Sequence, residues 1–316
     1  MAQMTSVITV GLSGAWDITC RGRNVDWGLH EYIDKQTICP AGKALNVSRA
    51  LAWMGQKSIA ARLWGKDDYE QMRKAVRAFK GHIKIKMTAV AGSTRRNITI
   101  VNTTYGKDMH LRDRSELASA KALKRLQADL GAIVHRGSVC VFAGTMPKGD
   151  LLSDVIRMIE FCKSRGARIV LDTSGPALRE IVRTGAVWLV KPNVEELCEL
   201  LEEKIKDEPV PLAGSGRGLL DRVEIVLVSR GKKGSVVVTK EGAWKARASG
   251  REKVLSTVGC GDYLLAGFLI GLMDKTDVAG ALTTATQVAT AKALGLTENK
   301  SWPQAKRQIR IEADPL

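Results

Sequence analysis

The chain has 316 residues, 45% of them hydrophobic, and no low-complexity tract or block of charge divides it, so we expect one α/β domain over residues 1–316. Lys and Arg number 49 against 33 Asp and Glu, and the net charge of +16 favours an anionic partner: a phosphorylated metabolite, a nucleotide, nucleic acid or a membrane surface. The six cysteines form no CxxC pair or metal-ligand spacing, and no apolar run could span a membrane, so we expect a cytoplasmic protein with reduced thiols.

The first predicted strand, Ser6 to Leu12, is followed by Ser13-Gly14 and Asp17. Ligands gather at the carboxyl ends of strands in open α/β sheets, so Asp17 is placed to accept hydrogen bonds from a polyol. An Asp that stabilises a turn is an equally good interpretation of this position. The polar, alternating sequence that follows predicts a small β sheet over residues 14–40, which could act as a lid.

A helix predicted to end near Gly55 begins with Gly42, Lys43 and Asn46. Gly42 permits close approach of a ligand to the backbone, and Lys43 and Asn46, three residues apart, share one face of the helix start. A cation and an amide on one face can hold an anionic sugar. For a lone Lys, a solvated surface position is otherwise the more common interpretation.

A second β-like segment over residues 88–112 would pair with the first lid segment and includes Arg95 and Arg96. The planar guanidinium of Arg binds phosphate through two hydrogen bonds, so Arg95 or Arg96 is a candidate to hold a phosphate already present on the substrate. Charges that protect a strand edge from aggregation explain the two arginines equally well.

From Ser138 onwards, apolar strands alternate with helices, which predicts a mostly parallel sheet with helices on both faces. Each of these strands ends in polar residues or glycine. The predicted strands and the residues that follow them are Ser138–Ala143 before Gly144-Thr145-Met146-Pro147, Arg168–Leu171 before Asp172-Thr173, Ala186–Val190 before Lys191-Pro192-Asn193, and Val223–Val228 before Ser229-Arg230-Gly231.

Asn193 and Glu196 lie three residues apart at a predicted helix start. Their spacing matches a capping box, in which each side chain satisfies a backbone N–H of the first turn. The same oxygens could hold a hydrated Mg²⁺ through water, and the two roles are compatible.

The glycine turn, Gly259-Cys260-Gly261-Asp262, leads into an apolar helix predicted over Tyr263 to Met273. Glycines let the backbone amides of residues 259–261 converge, and a helix N-terminus adds partial positive charge, so the turn is suited to a transferring phosphoryl group. Asp262, beside that site, could accept the proton of an attacking hydroxyl. A helix start whose acid only favours the macrodipole is the alternative interpretation.

Together these motifs resemble the PfkB, or ribokinase-like, carbohydrate kinases, and are most similar to the branch containing 1-phosphofructokinase and tagatose-6-phosphate kinase. The resemblance covers nearly the whole chain. It implies a ribokinase-like three-layer α/β sandwich, with a mostly parallel central sheet between helices, and a small β lid over the sugar. The residues that carry it are Asp17, Gly42-Lys43-x-x-Asn46, Thr94-Arg95-x-Asn97, Gly144-Thr145-Met146-Pro147-x-Gly149, Leu171-Asp172-Thr173-Ser174-Gly175, Lys191-Pro192-Asn193-x-x-Glu196 and the glycine turn.

The resemblance also implies roles for the matching residues. Asp262 would be the general base, and the amides of Gly259, Cys260 and Gly261 would form the anion hole for the γ-phosphate of ATP. Cys260 departs from the family pattern, which usually has Ala there, but it is also small. By the same resemblance, Asp17, Gly42 and Asn46 would bind the sugar, Lys43 and Arg95 its phosphate, Lys191, Ser229, Gly231 and Gly234 the nucleotide, and Asn193 and Glu196 would organise Mg²⁺ and its waters.

The sequence therefore predicts a kinase that uses ATP and Mg²⁺ on a phosphorylated ketohexose, of the fructose 1-phosphate or tagatose 6-phosphate type. A kinase of an unphosphorylated sugar or nucleoside is one alternative, and a non-catalytic sugar-phosphate or nucleic-acid binding protein on the same scaffold is another. Asp262, Asn193 and Glu196 together favour the enzyme, and no helix-turn-helix, RNP or zinc-knuckle pattern supports nucleic acid. The resemblance implies a homodimer through the lid.

Overall fold

A computed structural model describes residues 6–77, 81–114, 117–250, 254–274 and 276–316, and the remainder of the predicted domain lies outside the described residues. The described chain forms two sheets, and helices pack on both faces of the larger one. In chain order, the strands are β1 (Ser6–Gly11), β2 (Ala15–Gly22), β3 (Lys35–Ala41), β4 (Ser58–Gly65), β5 (Ile83–Val90), β6 (Arg95–Asn102), β7 (Lys107–Arg112), β8 (Ser138–Ala143), β9 (Arg168–Asp172), β10 (Leu189–Val190), β11 (Ile225–Ser229), β12 (Ser235–Thr239), β13 (Gly242–Ala248) and β14 (Ile311–Pro315). The helices are α1 (Lys43–Trp53), α2 (Tyr69–Val76), α3 (Ala120–Gly131), α4 (Asp150–Ser164), α5 (Gly175–Arg183), α6 (Val194–Leu201), α7 (Pro209–Arg217), α8 (Cys260–Met273), α9 (Val278–Ala293), α10 (Leu296–Asn299) and α11 (Trp302–Lys306).

The large sheet has the strand order β14-β13-β12-β11-β10-β9-β8-β1-β4-β5. The strands from β5 to β11 in this order run parallel, and β12, β13 and β14 extend the sheet in antiparallel fashion. The predicted mostly parallel sheet is therefore confirmed. The strand predicted over Ala186–Val190 is shorter than expected, since β10 has two residues and the carbonyl of Trp188 accepts hydrogen bonds from both Glu224 and Ile225.

Successive residues of the central strands face different helices. In β8, Val139 and Val141 pack in the cluster formed with α1, α8 and α9, whereas Cys140 and Phe142 pack in the cluster formed with α3 to α7. A strand covered on both faces is apolar at every position because its side chains alternate between the two faces. The continuous apolar runs in the sequence have this origin, and the three-layer architecture is confirmed.

The small sheet has the order β3-β2-β6-β7, in which β2 runs antiparallel to β3 and parallel to β6. The pairing predicted between the two polar β segments is therefore present. Residues 88–90, which were expected in the lid, lie instead in β5 of the large sheet, and the second segment of the small sheet begins at Arg95. Ser13-Gly14 lie in the connection from β1 of the large sheet to β2 of the small sheet, and Gly42 connects β3 to α1.

Helix α8 is buried at every position from 262 to 272, so its sequence has no polar face. It packs closely against α9, because a Cβ at Gly267 would lie 2.8 Å from the Cα of Ala285, and one at Gly271 would lie 2.5 Å from the Cα of Ala281. Its apolar character thus reflects a position in the core. Throughout the described ranges, the helices lack the combination of length and apolar character that a membrane crossing requires.

Candidate active site

The N-terminus of α8 brings the glycine turn and Asn46 of α1 together. Gly259 is the N-cap and has φ 77°, a left-handed conformation that glycine adopts without strain. Asp262 is only 4% exposed, and its Oδ2 accepts a hydrogen bond of 2.8 Å from Nδ2 of Asn46. Two predicted site residues that are 216 positions apart in the chain are therefore in direct contact.

These surroundings raise the pKa of Asp262 to about 7. Burial is the largest cause, and repulsion from Asp172 adds to it, whereas the hydrogen bond from Asn46 and the charges of Lys43 and Lys191 oppose the shift. A carboxyl group with a pKa near neutrality is well matched to proton transfer at physiological pH. Strongly perturbed acids of this kind cluster at functional sites.

Asp172, at the end of β9, is the ionic centre of the site. It is fully buried, and its Oδ1 lies 3.1 Å from Nζ of Lys43 and 3.3 Å from Nζ of Lys191. Burial opposes the charge on Lys43, but Asp172, Asp262 and Glu196 outweigh it and raise the pKa of this lysine. The sequence motifs assigned no role to Asp172. Its position at the carboxyl end of a central strand, where ligands bind in open α/β sheets, could have marked it as a site residue.

The glycine turn offers a different set of backbone amides from the predicted one. The amide of Cys260 donates to the carbonyl of Thr257 at 3.3 Å, whereas the amides of Gly259 and Gly261 have no backbone acceptor within the described ranges. Asp262 also lies in the first turn, where an α-helix leaves its amides without intrahelical partners. The amides that a phosphoryl group could approach are therefore those of Gly259, Gly261 and Asp262.

The predicted sugar-side residues lie where the two sheets join. Asp17 in β2 accepts a hydrogen bond of 2.8 Å through Oδ1 from Nδ2 of Asn97 in β6. This contact orients the carboxylate, which has further acceptor capacity for a sugar hydroxyl. Gly42 is the N-cap of α1 with φ 116°, and a Cβ there would lie 3.2 Å from Nη2 of Arg62. Both the backbone conformation and the close packing therefore favour glycine at this position.

Two arginines occupy the same junction. Arg95 is half-buried and donates to three backbone carbonyls: from Nε to Gly14 at 3.3 Å, from Nη1 to Asp113 at 3.2 Å and from Nη2 to Ser13 at 3.5 Å. The backbone therefore positions its guanidinium. Arg62 in β4 is 2% exposed and donates from Nη2 to the carbonyl of Ala41 at 2.6 Å. Its guanidinium lies over the ring of Trp64, and its Nε and Nη1 have no hydrogen-bond partner in the described part of the chain. Arg62 was not among the predicted residues, although a charge inside an apolar strand marks an unusual buried position.

The capping box predicted at Asn193 and Glu196 is confirmed. Oδ1 of Asn193 accepts from the amide of Glu196 at 2.7 Å, and Oε2 of Glu196 accepts from the amide of Asn193 at 2.9 Å. Because Glu196 acts on the pKa of Lys43, its charge is also felt at the ionic centre of the site. Glu196 can therefore cap α6 and act electrostatically on the site at the same time.

The stretch predicted to line the nucleotide lies beside the capping box. Ser229, at the end of β11, forms an isolated parallel bridge with Asn193. Gly231 begins a 3-10 turn that ends at Lys233. A Cβ at Gly234 would lie 2.0 Å from the carbonyl oxygen of Ala246, so packing against β13 alone requires glycine at this position. Gly234 is therefore explained without a nucleotide contact.

The strand ends of the parallel sheet carry a buried acid–lysine cluster, and the glycine turn and the perturbed carboxyl group of Asp262 face it. This combination defines the class of protein as a ribokinase-like phosphotransferase. The family model described as pfkB family carbohydrate kinase matches residues 4–304, and the chain belongs to this family. It is therefore a carbohydrate kinase, as the motifs predicted.

Named relatives agree with this assignment. The chain is 29% identical over 296 residues to 1-phosphofructokinase of Haemophilus influenzae, and the alignment covers 90% of each chain. It is 25% identical over 274 residues to tagatose-6-phosphate kinase of Staphylococcus epidermidis, and this alignment covers 85% of this chain and 86% of the relative. Phosphofructokinase-2 from Escherichia coli, solved in complex with fructose-6-phosphate, has the same fold, with a TM-score of 0.87 at 20% identity over 97% of this chain and 98% of that one.

Proposed function

We propose that the chain transfers the γ-phosphoryl group of ATP to a hydroxyl of a phosphorylated ketohexose, of the fructose 1-phosphate or tagatose 6-phosphate type. The observation that carries the proposal is the buried Asp262, which has a near-neutral pKa and lies at a helix N-terminus flanked by lysines. The similarity to kinases named for fructose 1-phosphate and tagatose 6-phosphate chemistry supports the substrate class.

In this reaction the acceptor oxygen forms a bond to the γ-phosphorus while the bond from that phosphorus to the β–γ bridging oxygen breaks, and ADP leaves. The proton of the acceptor hydroxyl passes to Asp262, whose Oδ2 is oriented by Asn46. The ammonium group of Lys191 and the amides of the glycine turn offset charge on the phosphoryl oxygens, while Lys43 faces the phosphate of the acceptor. Because these groups are fixed before ATP binds, little reorganisation is needed during the transfer.

Mg²⁺ bound with ATP would neutralise phosphate charge during the transfer. Within the described ranges, no three His, Cys, Asp or Glu side chains are grouped to hold a metal ion. We therefore expect contact with the ion to be made through water, held by Asn193 and Glu196. The donor set fits, because the capping box uses Oε2 of Glu196, and among the described residues Oε1 accepts no hydrogen bond.

Replacing Glu196 with Gln keeps the shape of the side chain and removes its charge. We expect the Mg²⁺ concentration for half-maximal rate to rise about tenfold, because residues around a metal's own ligands typically contribute this much to metal affinity. The measurement is ADP release at varied free Mg²⁺. Glu195→Gln, on the exposed neighbouring residue, is the control. A Glu196→Gln variant that loses thermal stability but keeps its Mg²⁺ dependence would show that Glu196 is only a helix cap.

Together with Lys43, Arg95 is the residue we propose to hold the phosphate of the acceptor. Each of its three nitrogens donates to a backbone carbonyl, and the second N–H groups of Nη1 and Nη2 remain for the phosphate. A charge-assisted hydrogen bond to phosphate contributes about 1.5–3 kcal/mol, so Arg95→Ala should raise the acceptor KM roughly ten- to a hundredfold. The KM for ATP should stay nearly constant. Arg96→Ala, on the exposed next residue, is the matched control and should leave both constants unchanged.

The substrate class is tested by measuring ADP release from MgATP with free sugars, sugar phosphates and nucleosides as acceptors. We expect the highest kcat/KM with fructose 1-phosphate or tagatose 6-phosphate. Preference for free fructose, ribose or a nucleoside would favour a kinase of unphosphorylated acceptors. Binding of sugar phosphate or nucleic acid without turnover on any acceptor would favour the non-catalytic alternative.

The small sheet is also the surface on which we propose that two copies of the chain associate. It and its loops expose large apolar side chains, which a monomer seldom presents in such number. These residues are Trp27, Leu29, Tyr32, Ile33, Ile38, Tyr105 and Leu111. Tyr32→Asp should convert a dimer to a monomer in light scattering, whereas Val210→Asp, at an exposed apolar residue outside the sheet, should not. A wild-type chain that is monomeric at micromolar concentration would contradict the proposal.

A further inference from the structure

Lys292, near the end of α9, lies against the glycine turn although no motif pointed to it. A Cβ at Gly259 would lie 3.9 Å from Cε of Lys292, the same distance as from Oδ2 of Asp262. The ammonium lies 5.6 Å from the ring centroid of Tyr263, one helical turn after Gly259. Among the described residues, the Lys292 side chain contacts this ring but pairs with no carboxylate and donates no hydrogen bond.

Helix packing fixes this position. Helices α8 and α9 run antiparallel along one seam, where Gly271 faces Ala281, Gly267 faces Ala285, and Gly259 faces Lys292. Because the first two contacts bring backbone against backbone, α9 cannot slide along α8 without steric clash. The close contact of these two core helices therefore holds Lys292 at the N-terminus of α8.

The glycine turn thus has a lysine on each side. A Cβ at Gly261 would lie 3.4 Å from Nζ of Lys191, but that lysine is paired with Asp172 at 3.3 Å. Lys292 has no such counter-ion in the described part of the chain, so it contributes a net positive charge to the turn. Burial raises the pKa of the Cys260 thiol to about 11, and the charge of Lys292 opposes that rise, which shows that it acts at the turn itself.

We propose that Lys292 binds a phosphate group of the nucleotide and stabilises the phosphoryl group during transfer, as a further catalytic residue of this site. The inference rests on the proposed kinase function. A flexible ammonium beside free backbone amides is a suitable partner for a polyphosphate, because Lys binds phosphate as a point charge. The competing interpretation is that a Lys in the last turn of α9 only complements the helix dipole and stacks on Tyr263. That interpretation predicts an effect on stability and none on phosphate binding.

The test compares ATP with adenosine by calorimetric titration of the full-length protein. Lys292→Met should weaken ATP binding about ten- to a hundredfold and leave adenosine binding within about twofold, because only ATP carries the phosphates. Lys292→Arg, which keeps the charge, should recover most of the loss. Lys306→Met is the matched control, since Lys306 also ends a helix and stacks on an aromatic ring, that of Trp302 at 5.8 Å.

Equal binding of ATP by wild type and Lys292→Met would overturn the inference, and so would an equal loss of ATP and adenosine. Failure of the kinase function is distinguishable from failure of this inference. A wild type that phosphorylates a sugar phosphate while Lys292→Met turns over as fast would refute the role of Lys292 alone. A wild type that binds ATP through Lys292 but phosphorylates no acceptor would refute the kinase function alone, and a wild type that binds no ATP would refute both.

Discussion

Asp262→Asn should lower kcat by about 10²–10⁴-fold while ATP still binds, because the substitution removes the proton acceptor and keeps the size of the side chain. The measurement is turnover with a sugar phosphate and MgATP, together with direct titration of ATP. Asp274→Asn, an exposed acid at the other end of α8, is the control and should keep wild-type turnover. If Asp262→Asn keeps more than a tenth of wild-type kcat, Asp262 is not the general base.

The same substitution should also change how the stability of the fold depends on pH. The pKa of Asp262 is about 7 in the folded chain, against about 3.9 for an unperturbed Asp, so the folded state holds the proton more tightly. Wild-type stability contributed by this group therefore falls as pH rises from about 4 to 7. Asp262→Asn lacks this titration, so its Tm relative to wild type should be higher at pH 8 than at pH 5. An equal difference at both pH values would contradict the pKa shift.

Asp172→Asn should have the largest effect on stability. It leaves Lys191, which is 4% exposed, without its counter-ion, and breaking a buried pair in this way costs about 3–5 kcal/mol. Chemical denaturation gives this value directly. Asp129→Asn is the matched control, because Asp129 pairs with Lys86 at 3.1 Å where both side chains are partly exposed. Its loss should be well under half as large.

Asp172→Asn also changes the pH dependence of catalysis in a defined direction. Repulsion from Asp172 is one cause of the raised pKa of Asp262, so its removal should lower that pKa. The acid limb of kcat/KM, where the general base becomes protonated, should then move to lower pH. An acid limb that stays in place, in a variant that folds and turns over, would show that the two carboxyl groups do not interact.

Local patterns were sufficient for much of the fold and for part of the site. The apolar strands, the capping box at Asn193 and the turn before α8 depend on residues that are close in sequence, and each was predicted correctly. The ionic centre was not predictable in this way. Asp172 and Lys43 are 129 positions apart, and their contact depends on which strands become neighbours.

Arg62, Gly234 and the amide of Cys260 illustrate what pattern alone leaves open. Arg62 lies in an otherwise apolar strand, and only the packed structure shows that its partner is the backbone next to Gly42. Gly234 fits a nucleotide motif, yet the carbonyl of Ala246 accounts for it. The amide of Cys260 belongs to the predicted anion hole, but a local turn gives it an acceptor. In each case packing or hydrogen bonding decides a role that residue type suggests only loosely.

The most direct test of phosphoryl transfer through Asp262 is to follow the reaction products by ³¹P NMR. Wild-type protein with MgATP and fructose 1-phosphate or tagatose 6-phosphate should form a sugar bisphosphate and ADP in equal amounts, with one new phosphomonoester signal. Asp262→Asn should form neither product over the same period. Release of inorganic phosphate without a bisphosphate, or formation of the bisphosphate by Asp262→Asn at more than a tenth of the wild-type rate, would contradict this mechanism.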